Sequence, residues 1–181
     1  MERRIAKAKA LRNIVEFDGK IMILGMGSVG RAILPLLFQL VKLRPEQITV
    51  IDMLNVSDRI TYYINKGIVF KNIKMTKDNY KQLLSKYDKG DFIIDCAWNI
   101  DTIDLLKVCV ERGIMYINSS VEEWNPYDPT VHVKTQDYTL YDRQMLLREW
   151  VNSIDSHNLP TMILDHGANP GMVSHLVKKG M

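Results

Sequence analysis

Three glycines and one acid carry the most explicit chemistry in this sequence. Ile21-Met22-Ile23-Leu24 is an apolar run that leads into Gly25-Met26-Gly27-Ser28-Val29-Gly30, and Ile48-Thr49-Val50-Ile51 is a second apolar run ending in Asp52. A strand, a Gly-x-Gly-x-x-Gly turn, a helix start and a second strand ending in an acid make the arrangement that a dinucleotide requires. Gly25 allows a tight turn off the strand, Gly27 lets the backbone approach a pyrophosphate, and Gly30 lets the helix pack against the strand. That helix would begin near Ser28, so the free N–H groups around Ser28 and Val29 would face the phosphates. Asp52 lies 27 residues after Gly25, and extra residues in the turn Leu43-Arg44-Pro45-Glu46-Gln47 account for the long spacing. A carboxylate there accepts from ribose hydroxyls and repels a 2′-phosphate, which favours NAD over NADP; Arg59, a few residues on, is the side chain that could soften the preference.

In open α/β sheets ligands bind beyond the carboxyl ends of the strands. Besides the glycine turn, that rule selects Asp95-Cys96-Ala97-Trp98-Asn99, Asn118-Ser119-Ser120-Val121-Glu122-Glu123-Trp124 and Asp165-His166-Gly167-Ala168-Asn169-Pro170-Gly171. Asn99 and Pro170 join the cofactor set on this ground. Asp95, Glu122, Glu123 and Asp165 supply carboxylates, and Trp98 and Trp124 supply aromatic faces, which together suit a cationic amine. Each has a plainer alternative: loop acids are commonly solvated, Trp124 could pack its loop onto the domain, and His166 could be a strand-end histidine rather than a general base. Asn169 also reads as a helix cap, with Pro170 at the first helical position.

The elements that would position these groups alternate along the chain. Strands are predicted at 20–24, 48–52, 67–70, 91–95, 114–118 and 161–165, and helices near 28–42, 77–87, 101–112 and 137–156. Val29, Ile33, Leu36, Leu37 and Leu40 give the first helix its apolar spacing, with Pro35 as a bend; Leu147, Trp150, Val151 and Ile154 do so for the last. Asp101 is the expected cap and Gly113 the expected stop of the helix at 101–112. The pattern predicts a doubly wound, mostly parallel α/β sheet of the Rossmann type. The boundaries expected are a leader helix or tail over 1–17, the NAD-binding domain over 18–168, and the start of a substrate and dimerisation domain over 169–181. The segment 121–136, with two prolines, is an irregular loop long enough to be functional.

Composition narrows the classes. The 181 residues are 46% hydrophobic and 25% charged, with a net charge of +3, as in ordinary globular proteins. Basic residues are not interleaved with aromatics, so nucleic acid is not an expected partner. No apolar run reaches membrane-spanning length. Cys96 and Cys109 are set in apolar sequence and their spacing fits neither a zinc site nor a redox pair; no metal is expected, and they read as reduced thiols of a cytoplasmic protein.

The glycine turn with Leu34-Pro35-Leu36, the strand to Asp52, Val121-Glu122-Glu123-Trp124, and above all Ile163-Leu-Asp-His-Gly-Ala-Asn-Pro-Gly-Met-Val-Ser-His175 resemble bacterial-type homospermidine synthase, of the saccharopine dehydrogenase-like group. The resemblance covers nearly the whole chain and implies its N-terminal, cofactor-binding part. It implies a reaction in which NAD takes a hydride from putrescine, a second putrescine displaces ammonia from the imine, and the reduced cofactor returns the hydride to give homospermidine. It places Glu122 and Asn169 against substrate and nicotinamide, with Asp95 and Trp98 nearby as further catalytic residues. Family members are much longer, which implies a homodimer in the full-length form or a complementing C-terminal chain. Glu123 departs from the pattern, standing where the family usually has proline.

Three alternatives remain on sequence grounds. The chain could be an NAD-binding module, or one half of a split enzyme, without catalysis of its own. It could be another oxidoreductase of the saccharopine dehydrogenase-like group, but those need cations for a substrate carboxylate where these loops are acidic. It could be an adenylating enzyme of the ubiquitin-activating type, against which Leu54 stands where a second acid is expected.

Overall fold

In the computed structural model, which describes residues 15–130, 134, 138–155, 157–167 and 171–181, a six-stranded sheet organises the chain. Its strands are β2 (Ile21–Leu24), β4 (Ile48–Asp52), β5 (Val69–Asn72), β6 (Phe92–Asp95), β7 (Met115–Asn118) and β8 (Met162–Ile163), in the order β5-β4-β2-β6-β7-β8. Every pairing is parallel. The chain starts at the centre, builds outward through β4 and β5, then returns to lay β6, β7 and β8 on the other side. This is the doubly wound order, with its switch point between β2 and β6. β2 is buried along its whole length because both faces of a central parallel strand are covered. One face holds Met22, Leu24, Ile93 and Tyr116; the other holds Ile21, Ile23, Val50 and Ile94.

The crossover elements are α1 (Ser28–Leu40), α2 (Thr61–Ile64), α3 (Tyr80–Leu84), α4 (Thr102–Arg112) and α5 (Leu140–Ser153), with α6 (Met172–Gly180) after β8. The α4 boundaries are those predicted: the Asp101 carboxylate accepts the Asp104 N–H at 2.9 Å, and Gly113 ends the helix in the left-handed region. Other boundaries differ. The chain after Leu40 turns extended, and β3 (Val41–Lys42) pairs with β1 (Val15–Glu16), so ordered pairing begins within the segment expected to be a leader. The third strand predicted along the sequence, β5, runs 69–72 rather than 67–70, because a helical turn continues through Lys66 and Gly67 reverses the chain. Residues 76–79 form a turn rather than helix, since the Asn79 side chain accepts from Thr76 N–H and donates to the Lys74 carbonyl. Thr139 caps α5, so that helix starts later than expected; positions 137 and 156 and much of the 121–136 loop's second half lie outside the described residues. β8 stops at Ile163, two residues before a left-handed Asp165.

Burial also corrects the helix faces. α1 packs through Gly30 and Leu34, with Ile33, Leu37 and Phe38 beside them, while Val29 and Leu36 are exposed. On α5, Leu147 and Trp150 reach the core but Val151 faces solvent. No described helix is long and apolar enough to cross a membrane.

Gly30 is the tightest point of the helix–sheet contact. A Cβ built there would lie 2.2 Å from the Gly25 carbonyl oxygen, a backbone atom that cannot step aside. Gly30→Ala is therefore expected to lower the free energy of unfolding by roughly 1–3 kcal/mol in urea titration; an unchanged midpoint would mean that α1 can lift off the turn without cost.

Candidate functional site at the switch point

The glycine turn is built by three contacts. Gly25 takes a positive φ of 80° as the chain leaves β2, and its N–H still donates to the Ile51 carbonyl at 2.9 Å. Met26 N–H donates to Asp52 Oδ2 at 2.6 Å, while Asp52 Oδ1 accepts Leu54 N–H at 2.7 Å. Asp52 thus fastens the glycine turn to the end of β4 as well as facing the cavity. Gly27 caps α1 without any side-chain hydrogen bond, and no acid sits in the first turn. The first N–H groups of α1 are therefore open to an anion. A Cβ built on Gly27 would meet nothing within 4 Å. Gly25 and Gly30 are demanded by the chain itself; Gly27 is not, and its cradle lies open over the helix terminus. That fits a pyrophosphate.

A cavity of about 700 Å³ opens from this turn. Gly25, Gly27 and Asp52 form one end; Met53 and Leu54, the stretch Ile73–Asp78, and Cys96–Ile100 wall the rest, with Trp124 and Asn125 at the rim. Trp98 and Asn99 thus stand with the cofactor residues. Trp98 is 61% exposed. Asn99 holds a left-handed φ of 58°, and its Oδ1 is buried with no hydrogen-bond partner among the described residues. Lys74 and Lys77 are the cations on this wall, whereas Arg59 sits in a short helical turn and does not line it.

A smaller cavity, about 280 Å³, lies on the other side of Cys96, lined by Val29, Ile33, Asp95, Ile117, Asn118, Ser119, His166 and Gly167. The structure thus separates two residues that sequence reasoning grouped: Asp95 lines this cavity and Trp98 the larger one. Asp95 is nearly inaccessible; Tyr116 Oη donates to it at 2.7 Å and Ala97 N–H at 3.0 Å. Burial pushes its carboxyl up to about 6, opposed by those two donors and assisted by the charge of Glu122. The buried Tyr116 hydroxyl is raised well above its usual range by the same burial and by Asp95. Burial pushes Cys96 up to about 12, which makes it a poor nucleophile.

The fifth-strand loop is tied inward. Ser120 Oγ donates to Glu122 Oε1 at 2.9 Å, and Thr102 holds Glu122 through both its backbone groups. Arg143 of α5 lies between the acids, 3.7 Å from Glu122 Oε2 and 3.2 Å from Glu123 Oε2, with all three side chains mostly buried. Trp124 donates to Asp104 at 2.9 Å and packs on Tyr80, so its role is to pin the loop. Asp165 accepts from Val121 N–H and Gln144 Nε2, and Asn118 accepts from Asp165 N–H, which locks the ends of β7 and β8 together. Arg143, Gln144 and Tyr116 are site residues that sequence reasoning did not find. Asn169 and Pro170, expected at substrate and cofactor, lie outside the described residues.

A parallel sheet of this order, with a glycine turn and an open helix terminus at its switch point, defines a dinucleotide-binding domain of the doubly wound class. Residues 21–154 match the saccharopine dehydrogenase NADP binding domain, and the chain belongs to that family. It is 29% identical over 174 residues to homospermidine synthase of Mesorhizobium japonicum and 28% identical to that of Blastochloris viridis, covering 92% and 91% of this chain and 34% of each relative. A crystal structure of homospermidine synthase from Legionella pneumophila in complex with NAD is similar at a TM-score of 0.77 and 28% identity, over 94% of this chain and 34% of that one. The chain spans about a third of the length of the curated relatives it matches.

The buried carboxyl yields a pH prediction. Asp95 holds its proton up to about 6 in the fold, against an ordinary 3.8. The resulting stability is fully present below about pH 4 and is lost as pH rises through 6, an effect of about 3 kcal/mol. Asp95→Asn keeps the shape and cannot ionise, so its stability should gain on the wild type across that interval in urea unfolding at stepped pH. Parallel pH profiles for the two proteins would show that Asp95 is solvated as an ion.

Proposed function

We propose that this chain is the NAD-binding part of a homospermidine synthase. The observation that carries the reading is the open cradle of Gly27 over an uncapped helix terminus, beside the ribose-directed Asp52. The amides of the turn and of Ser28, Val29 and Gly30 would hold the pyrophosphate, and Asp52 the adenosine ribose. Bound NAD supplies a hydride acceptor that later returns the same hydride, so two putrescines give homospermidine and ammonia with no net redox change. Asp95, Asn118 and His166 around the smaller cavity would face the reacting end. The similarity to homospermidine synthases, one of them solved with NAD, supports the substrate class. A cytoplasmic location goes with the reading, since the buried thiol of Cys109 is free.

A second reading has its own support. Glu122 and Glu123 are paired with Arg143, and Asp95 is hydrogen-bonded within the core, so these carboxylates are already engaged inside the chain. A dicationic diamine would then need groups from elsewhere, and this chain alone would be a cofactor-binding module.

Calorimetric titration separates the possibilities. NAD should bind the purified chain more tightly than NADP by roughly tenfold or more, because like charges meet at Asp52. Asp52→Asn, whose one carbonyl oxygen can still accept Met26 N–H while Leu54 N–H loses its acceptor, should narrow that margin. NADP binding at least as tightly as NAD would contradict the assignment of Asp52. Putrescine binding to the NAD-loaded chain would favour the full reading, and its absence the module.

A further inference from the structure

We propose that Asp95 makes the smaller cavity sense the charge of the nicotinamide: its carboxylate favours the cationic ring of NAD and its neutral carboxyl the uncharged ring of NADH, so the balance between the two cofactor forms turns on pH. The inference rests on the dinucleotide reading above and adds how that site distinguishes the oxidised form from the reduced one.

Placement carries the argument. Asp95 ends β6 in register with Leu24, the residue before the glycine turn, and with Asn118 at the end of β7. The larger cavity takes Asp52 and the ribose it would serve, whereas the smaller begins at Val29 and Ile33 of α1 and continues to Asp95, Asn118 and His166. A dinucleotide with its pyrophosphate over Gly27 and its adenosine in the larger cavity leaves its other half for the smaller one. Asp95 belongs to that wall and is only 5% exposed. A charge so placed acts through protein instead of water, and a ring in the cavity feels it without touching it.

The surroundings leave this carboxyl able to change charge. Tyr116 Oη and Ala97 N–H donate to one oxygen each, which favours the carboxylate, while burial favours the neutral acid and prevails. Other groups facing Asp95 are few. Cys96 beside it and Cys109 of α4 are thiols pushed up by burial to about 12, so both are uncharged at neutral pH. Glu122 of the loop after β7 adds negative charge, with Arg143 lying 3.7 Å from it. Leu24 of β2 and the α1 residues on the wall carry none. His166, after β8, is the imidazole on the same wall and therefore the control.

NAD and NADH differ by one positive charge on the nicotinamide and share everything else, the pyrophosphate included. An ionised Asp95 attracts that charge. By linkage, NAD must gain on NADH as pH rises through the range in which Asp95 loses its proton.

The test is calorimetric titration of the purified chain with NAD and with NADH at stepped pH, with circular dichroism confirming the fold at each step. In wild type the ratio of NAD to NADH affinity should rise by about threefold or more between about pH 5.5 and about pH 8. Asp95→Asn should flatten that rise and His166→Gln should keep it. Tyr116→Phe removes a donor that favours the carboxylate, so it should move the rise to higher pH, which loss of packing alone would not do. A ratio independent of pH in wild type, or a rise that survives Asp95→Asn and vanishes in His166→Gln, would overturn the proposal while leaving the dinucleotide reading in place. Failure of wild type to bind either dinucleotide would instead remove the reading on which it rests.

Discussion

The contact between the Gly25 carbonyl and Gly30 is the constraint from which the site follows. It brings α1 against β2 at a separation no side chain allows, so the helix terminus points at the strand end instead of at solvent. The turn between them is then held from below by Asp52, whose carboxylate takes the Met26 N–H. One acid therefore serves two purposes: it fixes the backbone that would face a pyrophosphate, and it presents charge where a ribose would lie. Removing it outright would disturb both, which is why an amide at that position is the informative replacement.

Around that contact the strand order divides the ligand space in two. The strand order reverses between β2 and β6, and Cys96, just past the end of β6, borders both cavities. The larger side has apolar walls and two lysines; the smaller has a buried acid held by Tyr116, an asparagine and a histidine. Beyond them, α5 reaches back over the loop after β7. Arg143 is shared by Glu122 and Glu123 and offsets one of their two charges, and Gln144 holds Asp165, so the acids of these loops have partners inside the fold. With neutral donors holding Asp165, the carboxylates are engaged inside the chain instead of standing free at the strand ends.

Local pattern explains what was legible beforehand. The central strands, the glycine turn, Asp52, the Asp101 cap and the Gly113 stop are each written within a few neighbouring residues, where steric and hydrogen-bonding rules act directly. Long-range pairing is not written that way. Arg143 lies twenty or more residues from the acids it meets, on a helix whose periodicity reveals only its apolar side. Tyr116 reads as one more apolar strand residue until β7 is laid beside β6, where its hydroxyl reaches Asp95. Trp98 and Asp95 are three positions apart and looked like one cluster, but a strand end with a sharply turned loop sends them to different cavities. The two-residue displacement of β5 has a similar origin: Gly67 sets the strand's start through backbone geometry that hydrophobicity does not register.

The central claim is that Gly27 is glycine for a ligand and not for the fold. Dinucleotide binding to Gly27→Val, measured beside its thermal melting, tests this most directly. The account predicts a melting temperature close to wild type, since a Cβ there meets nothing within 4 Å, together with loss of NAD binding by about a hundredfold, as expected of a blocked phosphate contact. Retained NAD affinity in a stably folded Gly27→Val would contradict it, and would mean that the turn at the switch point is only a way of joining a strand to a helix.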